Sequence, residues 1–220
     1  MMTSLFSIFD PSTSSNFQSL WLCIPFVILL TPSVFFINNN HYSIIFKLFT
    51  DSIKKEFKPL INNSLSKSST LVIISLFIFI ALSNLIGLLP YVFTSTSHMA
   101  ISMSLAFPLW MSSFLYSWIN HTQHALAHLT PLGTPAALMM FMVLIELISA
   151  FIRPITLSIR LSANMIAGHL LISLITSGSI SLFTVIPIMS NILLMILESA
   201  VALIQAYVFS ILITLYISET

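Results

Sequence analysis

The residues with chemical capacity are few and concentrated. Glu146, Arg153, Arg160 and Glu198 are charged side chains set in otherwise apolar stretches, and His169 is a fifth ionisable group among them. An ionisable side chain inside a membrane span costs about 2.5–3.5 kcal/mol on insertion scales, so its presence marks a functional candidate. Glu146, Arg153 and Arg160 follow one another at seven-residue spacing, nearly two helical turns, which puts all three on one helix face. Asn164 stands one turn beyond Arg160 on almost the same side. Glu198 and Gln205 repeat the seven-residue spacing on a second apolar stretch. The small residues Ser199, Ala200, Ala202 and Ala206 flank them, as expected where another helix approaches closely. Such a set can form internal salt bridges that hold two helices together, or line a route for ions. Spacing alone leaves both open.

Other chemistries fit less well. His121, His124 and His128 lie in the polar segment NHTQHALAHLTPLGTP, and the last two are four apart, a spacing that can grip a metal. No carboxylate or cysteine stands near them, so a solvated loop at the membrane interface is the better reading and no metal is expected. Haem ligation would need paired histidines inside spans, and His169 has no such partner. The chain has four glycines and no Gly-rich phosphate loop, so it should not bind ATP, and no cofactor is expected. One cysteine can make neither an internal disulfide nor a thiolate metal site.

These residues need a frame, and composition says which. The 220 residues are 57% hydrophobic and 6% charged, with mean hydropathy +1.04. A soluble domain carries about 25% charged residues. A net charge of +1 excludes an electrostatic nucleic-acid binder. The chain reads as an all-α integral membrane protein, one helical bundle over residues 1–220. Residues 1–15 contain no Lys or Arg, so neither a secretory signal nor a transit peptide is expected there.

A span needs about 20 mostly apolar residues. Residues 17–37, with Pro25 and Pro32, form the first candidate and end at Asn38-Asn39-Asn40. Residues 42–61 differ: Lys47, Lys54, Lys55 and Lys58 alternate with Ile45, Phe46, Phe49, Ile53, Phe57 and Leu60 at helical spacing. This predicts an amphipathic helix in the interface, a polar connecting loop being the alternative. Residues 71–93 and 98–119 predict a hairpin (71–119) about the polar turn Thr94-Ser95-Thr96-Ser97. Residues 136–177 and 180–217 are each too long for one perpendicular crossing, which predicts a strongly tilted hairpin over 134–218. The count is five membrane-crossing helices and one surface helix. The lysine excess puts residues 42–61 on the cytoplasmic or matrix side, hence the N-terminus outside and the C-terminus inside.

At the hairpin a family resemblance becomes specific. RLSANMIAGHLL (160–171) closely resembles the RLxANxxAGHLL signature of subunit a of the F-type ATP synthase in its mitochondrial form. LESAVALIQAYVF (197–209) is similar to the family's second signature, and NLIGLLP (84–90) and HLTPLGTP (128–135) match it as well. The opening SLFSIFDPS resembles the start of arthropod members. The resemblance implies an Fo stator subunit of the mitochondrial inner membrane, without catalytic or nucleotide-binding residues. Its N-terminus would lie in the intermembrane space and its C-terminus in the matrix. Its partners would be the ring of c subunits, other Fo and peripheral-stalk subunits, lipid and protons. By position, Arg160 matches the essential arginine facing the ring. His169 and Glu198 match the intermembrane-space half-channel, and Glu146 the matrix half-channel. Asn164 and Gln205 match polar positions near the arginine, while at Arg153 many relatives carry glutamine. A secondary transporter, which would show inverted repeats and broken helices, and a purely structural membrane subunit are the alternatives.

Overall fold

The computed structural model describes residues 5–12, 18–32, 40–61, 66–89, 92–120, 122–130, 136–178 and 185–219. Among them the chain is helical without strands, an all-α integral membrane protein. Seven α-helices follow in order: α1 Cys23–Leu29, α2 His41–Phe57, α3 Ser66–Gly87, α4 Met99–Asn120, α5 Thr122–His128, α6 Ala136–Gly178 and α7 Val185–Glu219. Four carry stretches long and apolar enough to cross a bilayer: Ser68–Gly87, Met99–Asn120, Leu138–Ser177 and Pro187–Ser218.

Of the proposed first span, the described part is a shorter apolar helix, Ser19–Leu29, that begins as a 3-10 turn. It closes at Thr31, whose hydroxyl donates to the Ile28 carbonyl at 2.7 Å, just before Pro32. Residue 17 and residues 33–37 lie outside the described residues, as do Asn38 and Asn39.

Helix α2 starts from extended backbone at Asn40 and ends in the 3-10 turn Lys58–Leu60, where Pro59 removes a backbone donor. Lys54 and Lys55 in its last turn complement the negative end of the helix dipole. Ile53 and Phe57, with Ile61 just beyond, are buried in the core formed chiefly by α3 and α7. The Phe57 ring lies 6.1 Å from Tyr207 of α7.

Helix α3 stops at Gly87, six residues short of the predicted end. A proline follows at residue 90, which has no backbone N–H to continue the helix, and Thr94 comes back so closely that a Cβ at residue 87 would sit 3.1 Å from its Cγ2. The turn Ser95–Ser97 is also not the solvated link its composition suggests. Thr94, Ser95, Thr96 and Ser97 are all buried, and the turn packs against α6. Its polar groups are partly satisfied locally, the Ser97 hydroxyl donating to the Thr94 carbonyl at 2.7 Å.

A second correction concerns residues 120–135, expected as a loop. Thr122–His128 is a helix, consistent with the helix-forming Gln123, Ala125, Leu126 and Ala127 in it. His121 and the side chains of His124 and His128 lie outside the described residues.

Helices α6 and α7 have 43 and 35 residues. At 1.5 Å per residue these are roughly 64 and 52 Å, against about 30 Å of hydrocarbon. Small residues make the close contacts: Ala202, Ala206, Ser210 and Thr214 form a buried stripe on α7, and Ser158 and Ser162 are buried on α6. Trp110 of α4 reaches Phe151 of α6 at 5.2 Å between ring centroids.

The N-terminal 3-10 turn Leu5–Phe9 sits at the end of the bundle that holds the 94–97 turn. His98 Nε2 is 3.0 Å from the Phe9 carbonyl, and the Phe9 ring meets His169 edge-on at 6.4 Å. Helix α2 lies beside Thr70–Ile78 of α3, away from the end at Gly87 that meets Thr94.

Candidate functional site

The α7 stripe that buries Ala202 and Ala206 also carries Glu198, one turn earlier, and so takes a carboxylate inside. Glu198 is 6% exposed, and neither of its oxygens has a hydrogen-bond partner among the described residues. Its carboxylate lies directly against Gly168 of α6, where a Cβ would collide with it. Glycine leaves room for the acid at the crossing, and a Cβ there would force the carboxylate to move. His169 is the next residue, its ring beside the Gly87 backbone and its Nε2 buried without a hydrogen-bond partner among the described residues. His169 and Glu198 thus come to the same crossing, yet no ion-pair contact within 4.0 Å joins them among the described residues. Glu198 touches the residue before the histidine instead.

A third helix completes the group. Asn84 of α3 is buried, donates from Nδ2 to the Ala202 carbonyl at 3.3 Å, and leaves Oδ1 without a partner among the described residues. Asn84, Asn164, Glu198 and Gln205 line a cavity of about 10 Å³ between α3, α6 and α7. That is the size of a single water site. A buried polar group left without a partner costs about 1–3 kcal/mol. Such atoms, contributed by α3, α6 and α7, meet at one crossing, which suits water or a proton better than apolar packing. In the sequence Asn84 stands within NLIGLLP, and its signal is that of the one amide in a 22-residue apolar helix, three residues before the helix ends at Gly87.

The two arginines separate. Arg153 Nη2 is 3.8 Å from Glu146 Oε1, with both side chains about two-fifths exposed. Its guanidinium also lies 5.8 Å from the centre of the Tyr216 ring on α7, within cation–π range. The internal clamp that spacing allowed is thus realised, but between Glu146 and Arg153. Arg160 is two turns further on, exposed, and no carboxylate among the described residues lies within 4.0 Å of it. Ile159, Ala163, Ala167 and Leu171 are exposed around it, while Leu157, Ser158, Leu161 and Ser162 on the other side of α6 are buried. An unpaired cation on an apolar, uncovered face is costly unless an outside partner supplies the counter-charge.

Comparison with known proteins agrees over the whole chain. The family model described as ATP synthase A chain matches residues 17–218. ATP synthase subunit a of Drosophila melanogaster is 52% identical over 222 residues, covering 100% of this chain and 99% of the relative. The Locusta migratoria protein of the same name is 52% identical over 223 residues, and that of Anopheles gambiae 50% over 224, each with 100% and 99% coverage. With the family model and full-length relatives in agreement, the chain belongs to the ATP synthase A chain family.

Proposed function

We propose that the chain is the proton-translocating stator subunit of a mitochondrial ATP synthase, a multi-pass protein of the inner membrane. It would couple proton flow to rotation of a ring of c subunits and bind no nucleotide itself. The observation that carries this reading is Arg160: a permanent cation, with no carboxylate within 4.0 Å among the described residues, on an exposed face of α6. A partner that presents carboxylates in hydrocarbon, one after another, supplies what this face needs.

The mechanism follows from elementary constraints. Two water-accessible half-channels must not connect, so that a proton crosses only by boarding a ring carboxylate. The barrier between them must stay charged, which arginine does and a desolvated lysine does not. Arg160 attracts each arriving carboxylate and favours its ionised form. The proton leaves toward Glu146, whose half-exposed carboxylate is held by Arg153. A fresh proton enters past His169 and Glu198, with Asn84, Asn164 and Gln205 offering hydrogen-bonding groups around the cavity. The neutralised ring site then turns back into lipid. Each charge moved through the membrane potential releases about 2.3 kcal/mol per 100 mV.

The positions of the other elements support the orientation. Phe9, the 94–97 turn and His169 share one end of the bundle, and the lysines of α2 lie toward the other. With basic residues on the matrix side, the first end faces the intermembrane space and α7 ends in the matrix. Family membership speaks against the transporter alternative.

The test compares coupled synthesis and passive proton flux on matched amounts of assembled complex. Arg160→Gln should abolish synthesis while passive leak persists or rises, and Arg160→Lys should also fail. Arg153→Gln should keep most synthesis, its guanidinium being tied to Glu146 and Tyr216 within the chain. A mild Arg160→Gln beside a lethal Arg153→Gln would move the gate by two turns and refute the assignment.

A further inference from the structure

Helix α2 is anchored by one face only. Ile53 and Phe57 are buried, and the adjoining edge of the helix, with Lys54 and Lys58 at i and i+4, opens onto a groove of about 780 Å³ against α3. The volume lies within the range of small-molecule sites. The two ends of the groove differ in character. Lys54 and Lys58 meet Thr70 near the start of the apolar span of α3, while Leu71, Ile74 and Ile78 continue the wall inward. From Thr70 to Ile78 is about 12 Å along the helix, enough to take the wall from the interface into hydrocarbon. The groove is therefore cationic at the boundary and aliphatic below it.

We propose that this groove binds one anionic phospholipid, its phosphate on Lys54 and Lys58 and an acyl chain along Leu71, Ile74 and Ile78. Charge and depth together select this occupant. A soluble acidic peptide would satisfy the lysines but leave the aliphatic wall facing lipid, and a zwitterionic lipid would fill the wall with no net charge for the cations. Asp51 at the rim limits the positive field, so a headgroup of one or two charges fits better than a polyanion. Ammonium groups held at a bilayer surface attract anionic lipid at about 1 kcal/mol each, roughly fivefold per lysine and 30-fold for the pair.

The site is independent of the proton path, and the test keeps the two apart. The assembled complex is reconstituted in phosphatidylcholine nanodiscs containing a photoactivatable phosphatidylglycerol, and crosslinks on residues 50–58 and 70–78 are quantified by peptide mass spectrometry. Labelling should saturate at one lipid per chain. Lys54→Gln and Lys58→Gln should each weaken it roughly fivefold and together roughly 30-fold, whereas Lys55→Gln, the same charge loss outside the groove, should leave it nearly unchanged. Ile74→Trp should block labelling without any charge change. Millimolar inorganic phosphate should not compete; displacement by it would mean that the site takes a free anion and would overturn the lipid assignment. Equal loss in the Lys55 and Lys54 variants, equal labelling by a photoactivatable phosphatidylcholine, or crosslinking of the groove to another subunit of the complex would each overturn it as well. Proton flux in the Ile74→Trp complex reports assembly separately.

Discussion

Gly168→Ala tests the α6–α7 crossing with a single methyl group. A Cβ there would overlap the Glu198 carboxylate, with even the farther oxygen at 3.0 Å, inside ordinary van der Waals distance. The acid is 6% exposed and hemmed by Ala202, so it cannot simply swing into water. Overpacking of this kind costs about 1–3 kcal/mol. If that cost falls on the proton-loading step, the rate drops roughly 5- to 150-fold. The assay is ATP-driven proton pumping in vesicles, normalised to assembled complex on native gels. The diagnostic arm is rescue: Glu198→Asp withdraws the carboxylate by one carbon–carbon bond, about 1.5 Å. In the Gly168→Ala background it should recover flux, although alone it should lower it. A neutral Gly168→Ala, or losses that simply add in the double variant, would refute the claim that glycine serves to seat this acid.

Two further outcomes follow from the same geometry. Asn84→Leu should assemble yet lower proton flux severalfold, because it removes the Ala202 tie and the amide facing the cavity, whereas Asn84→Gln should be milder; equal flux in Asn84→Leu would exclude Asn84 from the path. Glu146→Gln should loosen the α6–α7 contact through Arg153 by about 0.2–1 kcal/mol, as for an exposed pair, read as a small fall in the melting temperature of the isolated complex; no shift would leave the pair without a clamping role.

Sequence spacing made the helical class, the overlong α6 and α7, and the face carrying Glu146, Arg153 and Arg160 legible, because 3.6-residue periodicity and hydropathy act locally. It could not sort the two arginines. They share charge, face and spacing, and what distinguishes them is Tyr216 on α7, which comes beneath Arg153 only after the hairpin closes. The burial of Thr94–Ser97 was equally hidden. Four small hydroxyl residues read as a solvated turn unless one knows that α6 covers them. Asn84 was visible as an amide in an apolar helix, but its partner carbonyl lies 118 residues away, beyond any local pattern. The end of α3 is hidden in the sequence because Leu88 and Leu89 extend the apolar run beyond Gly87, where Thr94 returns to pack closely.

The exposed guanidinium of Arg160 also bears on biogenesis. Before assembly this helix face meets lipid, and a lone cation there carries a penalty of about 2.5–3.5 kcal/mol. A newly inserted copy is thus least stable while it waits and gains stability when its acidic counterpart arrives. The same residue that would block a short circuit in the finished machine then makes an orphan chain easier to distort and degrade. Subunit stoichiometry would in that way be enforced by the uncompensated charge, with no separate assembly signal required.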